Sequence, residues 1–433
     1  MPAFQNVIMP DTGTELLREE LALAFAGLGL RVFRVHPADL WKEGSEHSLA
    51  SLREYGPALF FSVNFQGLGE LKNTVEYIER TGGAVAVWCV DNPWNVLSAV
   101  KTPVWKRLPL FVTDGSFIPG LQAHGAERVY CMPLAACPEL FRPNARRDAA
   151  FRPPPDLAPL VFVGRTGFPG KDSFFANIAL PQALLEQAVE MANGTRSQSA
   201  PDAVAGVVRP DFLWWQRQLP PAPCLWPGKK ARVASYGAEL CTVAARTAAL
   251  GAVAAIPADV LGCSGNGGNA ENKIGESSAM LDIFGDAGWQ ELLEGLGSSG
   301  QATTGENIQK KRPAVRLFPP VDYYAHVPGI YRSARYSLTI TSLQLPSGLN
   351  QRHFDVWASG GCCLSDNTPG LALFPRELTE PVTWSRPADI PGLVANLEKS
   401  HTREELIRGW QQNILEKHTY THRVQGMLQA LGR

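Results

Sequence analysis

The stretch Pro346-Ser347-Gly348-Leu349-Asn350-Gln351-Arg352-His353-Phe354-Asp355-Val356-Trp357-Ala358-Ser359-Gly360-Gly361-Cys362-Cys363-Leu364 reads as a Gly-containing loop, one short helix, a Gly-Gly turn and a buried strand. A loop of this kind exposes a helix N-terminus, whose free N–H groups and partial positive charge suit a phosphate, with Gly348 and Leu349 as backbone donors. Asp355 lies three residues beyond Arg352 and so shares its helix face. A carboxylate there could accept ribose hydroxyls, as acidic residues do in dinucleotide sites. An intrahelical Arg352–Asp355 ion pair, worth only a few tenths of a kcal/mol, explains the spacing equally well.

The same alternation of helix and apolar strand extends in both directions. Upstream and downstream of this unit lie candidate strands at Leu160–Val163, Ala279–Phe284, Ala314–Phe318, Tyr336–Thr341, Cys362–Ser365 and Pro381–Trp384. A first series runs Phe4–Met9, Arg31–Val35, Ala58–Val63, Ala84–Val90, Leu108–Thr113 and Arg128–Met132, with helical patterns at Thr14–Leu28 and Gly69–Arg80 between strands. Apolar runs separated by amphipathic stretches predict βαβ units and parallel sheets, hence an α/β protein. The Pro-rich sequence at 146–158 forbids regular helix and separates a first domain, 1–145, from a second, 159–400, followed by a closing helix over Arg403–Leu431. Helical patterns at Phe174–Asn193 and Ala231–Ala255 make 172–275 a mainly helical insertion in the second domain, and Gly262–Asn272 has the composition of a loop.

Composition narrows the function classes. A chain of 433 residues suits two domains, and 45% hydrophobic against 19% charged residues fits substantial cores. Lys and Arg number 40 against 41 Asp and Glu, so no overall field favours nucleic acid. The N-terminal stretch lacks the basic n-region of a secretory leader, and no apolar run is long enough to span a bilayer. The eight cysteines show neither Cys-x-x-Cys nor metal-ligand spacing, which predicts reduced thiols, a cytoplasmic protein and no metal site.

In open α/β sheets ligands bind beyond the carboxyl ends of the strands. After the first strand comes Pro10-Asp11-Thr12-Gly13-Thr14, where Gly13 and Thr14 could meet an acceptor or simply cap a helix. After the fourth comes Asp91-Asn92-Pro93-Trp94, whose carboxylate, amide and indole suit sugar hydroxyls and a ring face, although an Asx-Pro turn with Trp94 as core accounts for part of it. Asp91 and Asn92, with Arg165, are the candidates for the reacting centre. The second domain opens Val161-Phe162-Val163-Gly164-Arg165-Thr166-Gly167-Phe168-Pro169-Gly170-Lys171; Gly164 would allow close approach of a ligand, and Arg165 and Lys171 could neutralise a diphosphate, although a basic surface turn has the same spacing.

Tyr331, Gly348, Arg352, Phe354, Asp355, Ala358, Gly360 and Gly361 follow a pattern of Tyr-x-x-Ser/Ala, a Gly loop and Arg-x-Phe-Glu/Asp-x-x-Ala-x-Gly-Gly. This resembles the C-terminal domain of the CgeB-like, group-one-type glycosyltransferases. Val161–Gly164, Ile283–Trp289 and His418–Arg423 extend the resemblance, and Trp88–Trp94 and Val112–Pro133 look like the N-terminal domain that often precedes it.

The resemblance implies a GT-B architecture: two Rossmann-like domains around a cleft, the first for the acceptor and the second for a nucleotide-diphosphate sugar, with the closing helix packed back toward the first. It implies metal-independent transfer without a cofactor, to a glycan, protein or small-molecule acceptor, with Gly164, Arg165, Lys171, Tyr331, Gly348, Leu349, Arg352 and Asp355 toward the donor and Gly13, Thr14 and Trp94 toward the acceptor. Retaining members commonly carry two glutamates eight residues apart; here Ser347 stands at the first position and the shorter Asp355 at the second. A catalytically silent relative that binds nucleotide or glycan, or a nucleotide-sugar epimerase, are the rival expectations.

Overall fold

Ala58-Leu59-Phe60-Phe61-Ser62-Val63 is buried at all six positions, the mark of a strand covered by helices on both faces of a parallel sheet. In the computed structural model, which describes residues 4–14, 16–143, 154, 156–168, 170–194, 209–219, 228–257, 260, 280–297, 315–400 and 402–432, it is β3 of a six-stranded parallel sheet. With β1 Asn6–Pro10, β2 Arg31–Val35, β4 Ala84–Cys89, β5 Pro109–Val112 and β6 Arg128–Cys131, the order is β2-β1-β3-β4-β5-β6. A second sheet contains β7 Leu160–Val163, β8 Leu281–Phe284, β9 Val315–Phe318, β10 Tyr336–Thr339, β11 Cys363–Asp366 and β12 Thr383–Trp384 in the order β12-β11-β10-β7-β8-β9. Both are doubly wound, and strand order reverses between β1 and β3 in one and between β7 and β10 in the other. Those reversals open the crevices where ligands of such sheets bind. The α/β class and the twelve strands match the sequence reading, apart from a residue or two at their ends.

Three helices depart from it. The first begins at Arg18, not Thr14, because Gly13 at φ 93° and Leu17 at φ 62° turn the chain through a loop, and Asp11 accepts the Gly13 N–H at 2.7 Å. The pattern at Phe174–Asn193 is two helices, Lys171–Phe174 and Gln182–Ala192, split where Asn177 takes φ 61° and Pro181 forbids continuation. The closing helix is also two, Arg403–Lys417 and Tyr420–Ala430. The break has a partner: the Ala136 N–H donates to the His418 carbonyl at 2.9 Å, and the Tyr420 N–H donates to the Ala136 carbonyl at 3.0 Å. Backbone groups that would continue the helix are thus spent on a strand-like bridge to the first domain, and the Thr419 hydroxyl caps the second helix by accepting from the His422 N–H. Gly262–Asn272 and most of 146–158 lie outside the described residues.

The helical pattern at Ala231–Ala255 is longer than expected, Gly228–Ala254. Its C-terminal part, with Ala249, Leu250 and Val253, packs into the core that contains β7 and β8, whereas Ala231, Ala234 and Ala238 join a cluster with Trp94, Trp105 and Phe117 of the first domain. One helix therefore spans from the second sheet to the first domain. No described helix is long and apolar enough to cross a membrane.

Candidate functional site

β7 ends at Gly164, whose N–H donates to the Phe284 carbonyl at 3.0 Å and whose carbonyl accepts the Trp289 indole N–H at 2.9 Å. A Cβ at this position would lie 2.9 Å from Arg352 Nη2 and 2.9 Å from the Phe162 ring, so glycine is required for side-chain packing rather than for backbone conformation. Arg352, half-buried, lies with Cζ 5.8 Å from the centroid of Phe162 and acts electrostatically on the hydroxyl of Tyr331, which is itself buried. Gly164, Tyr331 and Arg352, predicted from distant parts of the chain, thus meet at the strand-order reversal of the second sheet. Arg165, next in the chain, is exposed there. The loop that carries it is fastened by Asp286 at the end of β8, which accepts the Thr166 N–H at 3.1 Å and its hydroxyl at 2.9 Å. Lys171 is half-buried on the Lys171–Phe174 helix and folds its stem over Gly167.

Other predicted donor groups are engaged elsewhere. The Gly348 N–H was expected to face a phosphate; it donates to Asp114 of the first domain at 2.8 Å, beside the Ser347 N–H at 2.7 Å and hydroxyl at 2.5 Å. Leu349 is buried, its side chain against Gly370. Asp355 is fully buried, one oxygen accepting from the Tyr323 hydroxyl at 2.5 Å and the other from the Gln351 amide at 2.8 Å. Neither reading of its spacing fits this arrangement: among the described residues it makes no ion pair with Arg352, and a ribose does not reach a carboxyl sealed from solvent. Burial, opposed by those two hydrogen bonds, holds its carboxyl well above the usual range.

The first domain also corrects two expectations. Trp94 is 2% exposed and packs its ring 4.8 Å from that of His124, so it cannot offer a face to a sugar. Asn92 caps its own helix by accepting the Trp94 N–H at 3.0 Å, and Pro93 follows at the first helical position. This is the turn-and-core alternative. Asp91 differs: it reaches solvent and accepts from Asn64 Nδ2 at 2.7 Å, while the surrounding loops desolvate it enough to raise its carboxyl above the ordinary value. Gly13 and Thr14 are exposed on the loop after β1, where the Thr14 hydroxyl lies 3.1 Å from that of Thr12.

Four residues that sequence reading did not single out complete the picture. Asn64, at the end of β3, holds a left-handed backbone (φ 51°) and fixes Asp91. Asp114 joins the domains as described. Gln344, beyond β10, donates to the Ser235 carbonyl at 2.8 Å and Glu239 at 3.2 Å on the insertion helix, and its oxygen lies 3.4 Å from Asn95 Nδ2. Arg246 on that helix donates to the Arg165 carbonyl at 2.9 Å. All four are polar residues at strand ends or facing them, and that position is the signal that could have found the first three; Arg246 has none, because its placement depends on the length and tilt of the helix.

Residues 274–429 match the model of the glycosyl transferase-like family. No curated protein sequence matches the chain. Among solved structures, Anabaena HepE in complex with UDP and glucose is similar over 99% of this chain and 99% of that one, at 9% identity and a TM-score of 0.50. The E. coli trehalose-6-phosphate structure bound with UDP-2-fluoro glucose aligns over 98% of both chains at 11% identity and a TM-score of 0.47. The two doubly wound domains are those of the GT-B fold, and residues 274–429 of the second are similar to a glycosyl transferase-like domain.

Proposed function

We propose that the enzyme transfers a sugar from a nucleoside-diphosphate sugar, held at the end of β7 by Arg165 and Arg352 beside Gly164, with the buried Tyr331 positioning Arg352, to an acceptor approaching over Gly13, Thr14 and Asp91 of the first domain. The observation that carries this reading is the convergence of Gly164, Tyr331 and Arg352 at the strand-order reversal. In the departing nucleotide, charge develops on the diphosphate, and preorganised guanidinium groups stabilise it without a metal. The fold neighbour HepE was solved with UDP and glucose, which favours a uridine nucleotide as the first donor to try. Asp91, with its raised carboxyl at the opposite strand end, is suited to exchange a proton with an acceptor hydroxyl. The CgeB-like assignment rests on the Arg352–Gly361 block and the cytoplasmic location on the reduced-thiol reading of the cysteines.

A second reading, a silent relative that binds nucleotide without transferring sugar, is favoured by one observation: Asp114 occupies the Ser347 and Gly348 amides. Incubation with UDP-, GDP- and ADP-sugars, followed by chromatography for released nucleoside diphosphate, separates the two. Slow hydrolysis of one donor supports transfer; tight binding with no turnover supports the silent relative; neither binding nor turnover removes both.

A further inference from the structure

Helix Gly228–Ala254 passes the end of β7, where its Arg246 meets the Arg165 carbonyl. Its Thr242 hydroxyl accepts the Leu343 N–H at 2.9 Å, and Leu250 and Val253 are buried in the core below. Arg246 lies between these anchors. Its Nη1 donates to the Arg165 carbonyl, while its Nε is buried with no partner among the described residues.

Charges of both signs surround it. Burial and the neighbouring Arg352 guanidinium depress the Arg246 pKa to about 10. Glu239, Asp366 and Asp286 act on it in the opposite direction; Asp366 is paired with Arg209, whereas Glu239 and Asp286 bond to the neutral Gln344 and Thr166. Neither Arg246 nor Arg352 has a carboxylate within ion-pair distance among the described residues. Arg246 donates to the Arg165 carbonyl and Arg352 lies against Gly164, so both guanidinium groups sit at the end of β7, where a doubly charged anion would meet two charge-assisted donors.

We propose that Arg246 is a diphosphate-binding residue, forming with Arg352 a guanidinium clamp at the end of β7, so that the helical insertion supplies part of the donor site. This rests on the donor reading above. It gives the insertion a role, and it moves the second cation of the site from Lys171, which lies against Gly167, to Arg246.

The test compares the wild-type chain with Arg246→Gln and Arg246→Lys, titrated calorimetrically with UDP, ADP and GDP, and melted with and without the best of them. Arg246→Gln is expected to weaken that nucleotide roughly 10- to 100-fold, the range for loss of a charge-assisted contact, with Arg246→Lys recovering part of it. The ligand-free melting temperature should change little, because Arg246 forms no ion pair among the described residues and its one bond is to the Arg165 carbonyl. Unchanged affinity in Arg246→Gln overturns the clamp and leaves the donor reading standing. A drop in ligand-free melting temperature that accounts for the lost affinity also overturns it, assigning Arg246 to support of the Arg165 loop. Failure of the wild type to bind any of the three nucleotides overturns the donor reading and the clamp together.

Discussion

The Asp114 carboxylate, 1% exposed at the end of β5, accepts the backbone N–H groups of Ser347 at 2.7 Å and Gly348 at 2.8 Å across the boundary between the two domains. It also accepts the Ser347 hydroxyl and, on its own side, the Ser116 N–H at 2.9 Å. A carboxylate satisfied in this way does what a phosphate would do at the same amides. The contact therefore ties the position of the Gly348 loop to the first sheet. Replacing Asp114 by Ala leaves several buried donors without an acceptor, and the expected loss of stability is on the order of 2–4 kcal/mol. Urea denaturation of Asp114→Ala checks this; a loss below about 0.5 kcal/mol would show that water substitutes freely and that the contact does not fasten the domains.

Arg352→Ala removes the charge nearest Gly164 while leaving the helix Arg352–Ala358 its remaining packing. Nucleoside-diphosphate affinity should fall by about 1.5–3 kcal/mol, the worth of a charge-assisted hydrogen bond. Calorimetric titration with uridine and guanosine diphosphates measures it. Equal affinity in the variant would return Arg352 to a packing role against Phe162 and Tyr331.

Gly164→Ala is a sharper probe of the same place. The added methyl meets Arg352 Nη2 and the Phe162 ring at 2.9 Å, and the flexible arginine is the group that can move. The expected outcome is a modest loss of stability, about 1–3 kcal/mol for overpacking, together with weaker nucleotide binding as Arg352 is displaced. Melting and titration of one sample read both. Lost stability with intact affinity would place the nucleotide away from Gly164.

What could be read without the structure follows the kind of signal involved. Parallel strands buried on both faces are continuous apolar runs, so all twelve were legible, as was the Gly164 turn. Trp94 and Asp355 were misplaced because residue type and spacing do not say which way a side chain points: the indole turned into the core against His124, and the carboxyl turned from Arg352 toward Tyr323. Asp114 was missed because its partner lies 233 residues away. The split in the closing helix was equally hidden, since Ala136, which competes for the backbone at His418 and Tyr420, belongs to the other domain.

Asp355 supplies a prediction about pH. Its carboxyl and that of Glu20, also buried and bonded to the Tyr324 hydroxyl at 2.8 Å, are both raised by burial. Around Asp355 are Tyr323, Gln351, Glu20, Tyr420 and Arg352, and only the last is a cation. A carboxyl whose folded pKa exceeds its unfolded value binds its proton more tightly in the native state. Its stabilising effect is full below the unfolded value of 3.8 and is lost as pH rises toward the folded one. His353 and His418, lowered to about 4 by burial, act oppositely, losing stability as pH falls below their ordinary value of 6.5. The wild-type curve mixes the two, so the informative quantity is the difference between Asp355→Asn and wild type, in which the histidines cancel. An amide cannot ionise, and the variant should gain in melting temperature relative to wild type as pH is raised from 4 to 8. Nucleotide affinity should remain nearly unchanged, because the carboxyl faces Tyr323 and Gln351 rather than the end of β7. A difference that is flat with pH would mean that Asp355 stays ionised in the fold. A loss of affinity without loss of stability would return it to the ribose.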